Sequence, residues 1–114
     1  MSDETLHILW TNDNPDTAEH MVFMYATNSL RLKWWEEVHL IIWGINTRLV
    51  CDNERLQKLL LRFIEAGGSV SACRQCAENL GVTARLESLG DIEVIYMGEP
   101  LTRILKNGEK LLTI

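Results

Sequence analysis

The chain has 114 residues and a mass of 13.1 kDa, which is enough for one domain with a modest core and excludes a second independent domain. Hydrophobic residues make up 46% and charged residues 24%, which excludes a disordered or fibrous chain. Eleven Lys and Arg against 16 Asp and Glu give a formal charge of -5, so nucleic acid is not an expected partner. We therefore expect residues 1–114 to form a single folded domain.

The start of the chain and its cysteines indicate a compartment. Residues 1–4 are acidic and lack the basic segment of a signal peptide, and no apolar run approaches the roughly 20 residues that span a bilayer. A cytoplasmic protein without a membrane partner is the expectation. Three cysteines, an odd number, argue against a disulfide framework in that compartment and direct attention to thiol chemistry.

Apolar runs that alternate with turn-forming residues predict the secondary structure. Asp16 with Glu19 three residues later has the pattern of a capping box at the start of the first helix. Strands are predicted over residues 6–10, 38–43, 69–73, 92–97 and 110–114, and the main helices over residues 16–33, 53–66, 74–80 and 100–107, with shorter helical turns over residues 47–51 and 83–89.

Single residues set several of these boundaries. Either Asp52 or Asn53 caps the second long helix, and Gly67 ends it. Pro100 takes the first position of the last helix. Because the strands are apolar rather than alternating and each is followed by a helical pattern, they predict an open, mainly parallel five-stranded sheet in a three-layer α/β/α sandwich. The strand order is not predicted.

In a parallel sheet, ligands bind at the edge where the strands have their carboxyl ends. That edge is predicted to gather the loops after the first and second strands, the start of the helix over residues 74–80, and the turn before the last helix. We name as binding-site neighbours, from these strand-end positions alone, Thr11, Asn12, Asp13, Gly44 and Gly98.

The same edge carries the sequence Cys73-Arg74-Gln75-Cys76, a C-x-x-C pattern at the junction of a strand and a helix. A thiol at the first turn of a helix is close to unpaired N–H groups, which favour the thiolate, and Arg74 adds a positive charge. The spacing is also compatible with two cysteines that pack as small apolar side chains. Cys76 lies one turn further along, shares a face with Leu80, and is expected to point inward.

Other candidates for chemistry are weaker. Cys51 follows Val50 and is expected to be a core thiol, and His7 and His39 lie inside strands and are assigned no role. A zinc site needs four ligands, and one C-x-x-C pair does not supply them. Asp13 and Asp16 would repel a flavin phosphate in the first loop, and no dinucleotide or nucleotide-triphosphate motif occurs, so no cofactor is expected.

The first helix has two apolar stripes on opposite sides at 100° per residue. A helix that is apolar on two faces is expected to contact two partners, so its second stripe is a candidate subunit interface with Trp34 or Trp35 as an anchor. The stripes are Ala18, Met21, Val22, Tyr25, Ser29 and Leu32 on one side, and Phe23, Thr27, Leu30 and Trp34 on the other.

Four segments together resemble the DsrE/DsrF-like family of sulfur-relay proteins, which includes the TusD type. They are the first strand with its Thr11–Asp13 loop, Ile41-Ile42-Trp43-Gly44, the stretch SVSACRQCAENLG, and Tyr96-Met97-Gly98. The resemblance implies that Cys73 carries a persulfide and that Cys76 matches a second cysteine found in part of the family. Many relatives read W-G-P in the second loop, whereas Ile45 follows Gly44 here.

The resemblance also implies homotrimers or hexamers. Two hypotheses follow. In the first, the chain is a sulfur carrier with a sulfurtransferase-like role, which accepts sulfur on Cys73 from a donor protein and passes it to an acceptor, with Cys76 as a second catalytic thiol. In the second, it is a noncatalytic oligomeric module of the same fold that binds a small ligand or a partner, and its cysteines are packing residues.

Overall fold

A computed structural model describes residues 4–114 of the chain, so the acidic start at residues 1–3 lies outside the described part. Five strands are present at the predicted places: β1 (Thr5–Trp10), β2 (Glu37–Ile42), β3 (Ser69–Cys73), β4 (Glu93–Ile95) and β5 (Lys110–Thr113). Most bounds agree with the apolar runs to within a residue, and β4 is the shortest strand because its pairing with β3 ends at Ile95.

Helices fill each connection. They are α1 (Pro15–Thr17), a π-helical segment (Ala18–Phe23), α2 (Met24–Arg31), α3 (Asn46–Asp52), α4 (Glu54–Glu65), α5 (Arg74–Leu80), α6 (Thr83–Glu87) and α7 (Gly98–Lys106). Of the two candidate caps of α4, Asp52 and Asn53, the structure has Asn53, whose side chain accepts a hydrogen bond from the Leu56 amide at 3.0 Å. Pro100 is the third residue of α7 rather than the first, since the helix already begins at Gly98.

All strand pairs are parallel, in the order β4-β3-β2-β1-β5. This confirms the predicted open five-stranded parallel sheet and supplies the strand order. The pairing of β1 with β2 sets His7 beside His39, and the pairing of β2 with β3 sets His39 beside Ser69. Because side chains alternate along a strand, His7, His39 and Ser71 share one face of the sheet with Cys73.

The two faces are covered very differently. From β1 to β4 each crossover moves to the next strand in the same direction, so the right-handed rule puts α1 to α6 on one face. The connection from β4 to β5 runs back across the sheet, which places α7 alone on the other face. We call this second face the α7 face.

The core is divided accordingly. The larger cluster lies under α1 to α6 and is built around fully buried Trp10, Phe23, Leu60 and Phe63. The smaller cluster lies on the α7 face. Its buried members are Ile41, Cys73, Met97 and Ile104, with Leu9, Trp43, Cys76 and Ile95 packed against them.

The first helix differs from its prediction at its start. Asn14, not Asp16, is the N-cap: it is extended, and its side chain accepts the Thr17 amide at 2.9 Å. Pro15 explains the shift, because its fixed φ suits the first helical position and it has no N–H to satisfy. Glu19 makes no capping box and instead pairs with Arg55 across to α4, at 3.1 Å.

The prediction of two opposite apolar stripes on this helix was wrong. The π-helical segment changes the rotation between successive side chains, so Phe23 of the second stripe is buried beside Val22 of the first. Phe23 packs edge-on against Trp10, with ring centroids 5.5 Å apart. The large apolar side chains that remain exposed on this helix and the turn after it do not follow the stripes: Met21 and Leu32 come from the first, Trp34 from the second and Met24 from neither.

Within residues 4–114, no helix has the length and apolar character needed to cross a membrane.

The cap of α4 gives a stability prediction. Replacing Asn53 with Ala removes the acceptor for the Leu56 amide, so we expect the free energy of unfolding to fall by about 1 kcal/mol. Asn53→Asp keeps an acceptor oxygen and should lose much less. Urea unfolding checks this: the midpoint should fall for the alanine variant at an unchanged slope. Equal midpoints for both variants would contradict a capping role.

Candidate functional site

The carboxyl ends of the central strands are held together by backbone and side-chain contacts. Thr11 donates from its amide to the Ile114 carbonyl at 2.7 Å, and from its hydroxyl to the same oxygen at 3.2 Å, which ties the end of β1 to β5. Asn46, the first residue of α3, donates from Nδ2 to the Trp10 carbonyl at 2.7 Å and is fully buried. Thr11 is therefore a framework residue of this edge.

Gly44 connects β2 to α3 in a conformation that favours glycine, with φ of +110°. A side chain at this position would also approach the Thr11 carbonyl at 3.5 Å. The sequence placed residues 44–47 at this edge and named Gly44, but it gave no role to Asn46, which depends on a contact with a strand 36 residues earlier. Only its place directly after the turn following β2 could have indicated it.

The other predicted neighbours are not all gathered in one cavity. Asn12 accepts the Asn14 amide at 3.2 Å and so shapes the first loop. Asp13 lines a cavity of about 330 Å³ with Ile45 and Arg48. Gly98 is the first residue of α7. Ile45 is 44% exposed and also lines the cavity beside Cys76, so it separates the surroundings of Asp13 from those of the cysteine pair.

Cys73 is the last residue of β3 and the N-cap of α5, where the sequence placed it. Its Sγ accepts the amide N–H of Cys76 at 3.3 Å. The side chain is only 4% exposed, because it packs with Ile41, Met97 and Ile104 under α7. The thiol thus lies at the expected edge but is covered, not open to the crevice.

Cys76 is the more accessible member of the pair, contrary to the expectation that it points inward. It is half-buried and lines a cavity of about 200 Å³ with Gly44, Ile45 and Leu80. Burial, and after it a hydrogen bond with Cys73, raises the pKa of the Cys76 thiol to about 11. Cys76 is therefore protonated at neutral pH.

Arg74 is oriented by the protein rather than free. Its Nε and Nη2 donate to the Val94 carbonyl at 3.1 and 2.9 Å, which fixes the first residue of α5 to β4. Cys51 lies apart from the pair, in the main core, and burial raises its pKa. Within residues 4–114, no three His, Cys, Asp or Glu side chains are grouped as metal ligands, so the cysteine pair stands without further ligands there.

Comparisons with known proteins define the class of fold. The ychN protein from E. coli superposes with a TM-score of 0.67 at 14% identity, over 96% of this chain and 98% of that one. The chain therefore has the DsrE-like fold. No protein-family model and no curated protein matches it.

A second solved structure is much more similar. The conserved protein of unknown function BT1422 from Bacteroides thetaiotaomicron is 45% identical, with a TM-score of 0.95 over 98% of this chain and 96% of that one. This chain belongs to the same family as the Bacteroides protein.

The cysteine pair gives a prediction about pH. Because the pKa of Cys76 is about 11, we expect its alkylation by iodoacetamide to rise with pH up to about 11. The hydrogen bond with Cys73 is one cause of the raised pKa, so the pH midpoint of alkylation should fall in Cys73→Ala. Peptide mass spectrometry over a pH series measures both. The comparison is Cys51→Ala, which should leave the midpoint of Cys76 unchanged; a midpoint that also stays unchanged in Cys73→Ala would contradict the coupling.

Proposed function

We propose that this protein is a sulfur carrier with a sulfurtransferase-like role, and that Cys73 carries the sulfur as a persulfide. The observation that supports this most directly is the hydrogen bond from the Cys76 amide to Cys73 Sγ at 3.3 Å. A backbone N–H that points at sulfur stabilises the anionic forms of that sulfur, both the thiolate that attacks and the thiolate that leaves. The DsrE-like fold agrees with the proposal.

The transfer is a thiol exchange that needs no cofactor. The Cys73 thiolate attacks the terminal sulfur of a donor persulfide; a new S–S bond forms on Cys73, the donor's S–S bond breaks, and the donor leaves as a thiolate. In the second half, an acceptor thiolate attacks the terminal sulfur on Cys73. The same bond then breaks, and Cys73 leaves as the thiolate.

Cys76 has a separate part in this proposal. Because its thiol is protonated at neutral pH, it stabilises the Cys73 sulfur as a hydrogen-bond donor instead of competing for the incoming sulfur. It also faces the cavity that it shares with Gly44 and Ile45, which is the approach to the pair for a donor or acceptor protein in the cytoplasm.

The alternative, a noncatalytic binding module, has one observation in its favour. Cys73 is 4% exposed and packs with Met97 and Ile104, as a purely structural thiol would. For transfer, α7 has to give way over Cys73 when a partner binds. Reactivity of Cys73 in the folded protein separates the two functions.

The test is persulfide loading. We expect exposure to polysulfide, or to a cysteine desulfurase with cysteine, to add one sulfur atom to Cys73, as read by intact-protein and peptide mass spectrometry. Cys73→Ser should abolish loading. Cys76→Ala should leave the sulfur on Cys73 but slow its release to an acceptor thiol, because the S–H donor is lost.

Cys51→Ala is the matched control, since Cys51 lies in the other core and should not affect loading. Sulfur on Cys76 alone would contradict the assignment to Cys73. No sulfur on the folded wild-type protein would contradict the carrier function and leave the binding module.

We also propose that the protein forms a homo-oligomer, a trimer or a hexamer. The support is the cluster of exposed apolar side chains on the first helix and the turn after it, where Met24 is 50% and Trp34 is 54% exposed. Clustered apolar side chains of this size on a soluble surface are typical of subunit contacts.

Light scattering tests this association. The wild-type mass should be a multiple of 13.1 kDa, and Trp34→Glu should shift it towards the single chain, because a charge would be buried in the contact. Leu105→Glu makes the same change at an exposed residue on α7 and should leave the mass unchanged. A wild-type monomer at high concentration would contradict the oligomer.

A further inference from the structure

A groove of about 340 Å³ opens on the α7 face, at the amino-terminal ends of the strands and so at the opposite end from the cysteine pair. Side chains of β1 to β4 line it, among them His7, His39 and Ser71. It exists because α7 is short and covers only the other half of this face. Neither the proposed sulfur chemistry nor the similarity to the Bacteroides protein assigns it a role.

Four side chains in and beside the groove form one continuous chain of hydrogen bonds. Ser71 Oγ lies 2.8 Å from His39 Nε2, and His39 Nδ1 lies 3.2 Å from His7 Nδ1. His7 Nε2 lies 2.9 Å from Glu109 Oε1. The residues come from β3, β2, β1 and the turn before β5, and all except Glu109 are on neighbouring strands.

The carboxylate, together with a single proton on each imidazole ring, fixes the direction of every proton in this chain. A carboxylate only accepts, so His7 donates from Nε2 to Glu109, and with one proton on the ring its Nδ1 then accepts. His39 therefore donates from its Nδ1 to His7, and its Nε2 accepts the hydroxyl proton of Ser71. Burial, reinforced by the neighbouring His7, lowers the pKa of His39 to about 4, so His39 is neutral at pH 7 as this order requires.

The two histidines are arranged for a hydrogen bond rather than for a shared metal ion. Their ring centroids are 5.4 Å apart and their Nδ1 atoms 3.2 Å apart, so the two atoms face each other along the line between the rings. Ligand lone pairs would instead converge on a point to one side. Within the described residues, no third His, Cys, Asp or Glu joins the pair as a ligand.

We propose that Ser71 is an activated nucleophile of a second site, which is acylated by small carboxylic esters that are uncharged or cationic. A hydroxyl bonded to an imidazole base, which is itself oriented by further groups, is the arrangement that activates serine. Here His39 is the base, and His7 with Glu109 are positioning residues that hold the charge which the reaction creates.

The acylation step balances within these groups. Ser71 Oγ bonds to the ester carbonyl carbon while its proton moves to His39 Nε2, and the Nδ1 proton of His39 passes to His7 Nδ1. The positive charge then lies on His7 beside the Glu109 carboxylate, not on the buried ring of His39. The C–O bond of the ester breaks, the leaving alkoxide takes the proton from His39 Nε2, and His7 returns its proton to His39. Water later hydrolyses the acyl-serine.

The groove defines the class of ester. Its volume is at the lower end of the range for small-molecule sites, which suits a short acyl group. Glu37 and Glu93 line its rim and are exposed, with Glu109 at the end of the hydrogen-bond chain. These carboxylates disfavour an anionic ester by charge repulsion.

The experiment is labelling of the full chain with an uncharged alkyl fluorophosphonate. We expect one label per chain, placed on Ser71 by fragmentation of the peptide that contains Ser69, Ser71 and Cys73. Ser71→Ala should not be labelled, whereas Ser69→Ala, two residues earlier on the same strand and face, should be labelled at the wild-type rate. His39→Gln keeps a polar side chain without a base and should slow labelling at least about 10-fold.

Glu109→Gln should slow labelling, and Glu109→Asp should restore part of the rate, which a purely structural role for the carboxylate would not require.

Phenyl acetate should acetylate Ser71 faster than 4-acetoxybenzoate, and Glu37→Gln with Glu93→Gln should reduce this difference. Circular dichroism confirms that each variant is folded.

The proposal would be overturned by no label on the wild type, by a label on Ser69 or Cys73 in place of Ser71, or by an unchanged rate in folded His39→Gln. Equal rates for the two esters would overturn the ester class. Because the label reports Ser71 and persulfide loading reports Cys73, the two proposals fail independently.

Discussion

The right-handed crossover is the constraint on which the rest of this structure depends. With the order β4-β3-β2-β1-β5, three crossovers run in one direction and the last runs back, so six short helices and the π-helical segment cover one face and α7 alone covers the other. A nine-residue α-helix is only about 13 Å long and cannot cover a five-stranded sheet. The α7 face is consequently half buried and half open, and both groups of chemically distinctive side chains are on it.

The boundary between the two halves runs through β3. Cys73 and Ser71 are two residues apart on the same face of this strand, about 7 Å along it, and are 4% and 5% exposed. Their surroundings differ, because Cys73 packs with Met97 and Ile104 while Ser71 lines the groove. Burial favours the neutral form of every titratable group, and so it raises the pKa of Cys76 and lowers that of His39. Hydrogen bonds then decide which atom holds the proton. In the cysteine pair the Cys76 thiol holds it, and in the histidine chain Glu109 sets the order of the protons.

The sequence alone was sufficient for features that depend on local pattern. The apolar strands, the parallel sheet and the position of Cys73 at the end of β3 follow from runs of a few residues and from Gly44, Gly67 and Gly81. Features that depend on distant contacts were not predictable. The first helix is capped by Asn14 and not by the predicted Asp16, because Pro15 takes its first position. The π-helical segment, which turns Phe23 into the core, has no signal in the apolar periodicity. His7 and His39 read as buried strand residues because their partners lie 32 and 102 residues away along the chain.

The same long-range pairing explains why two histidines are tolerated inside strands of a sheet. An unpaired buried imidazole would leave a donor or an acceptor unsatisfied, at a cost of about 1–3 kcal/mol. The in-register pairing of β1 with β2 sets His7 directly beside His39, and Ser71 and Glu109 complete the two outer ends, so each ring nitrogen has a partner. Removing either end group would leave the ring next to it with an unpaired nitrogen, and removing Glu109 would also remove the acceptor that sets a single proton order. The polar half of the α7 face is therefore specified as a unit, whereas the apolar half around Cys73 depends on the packing of α7.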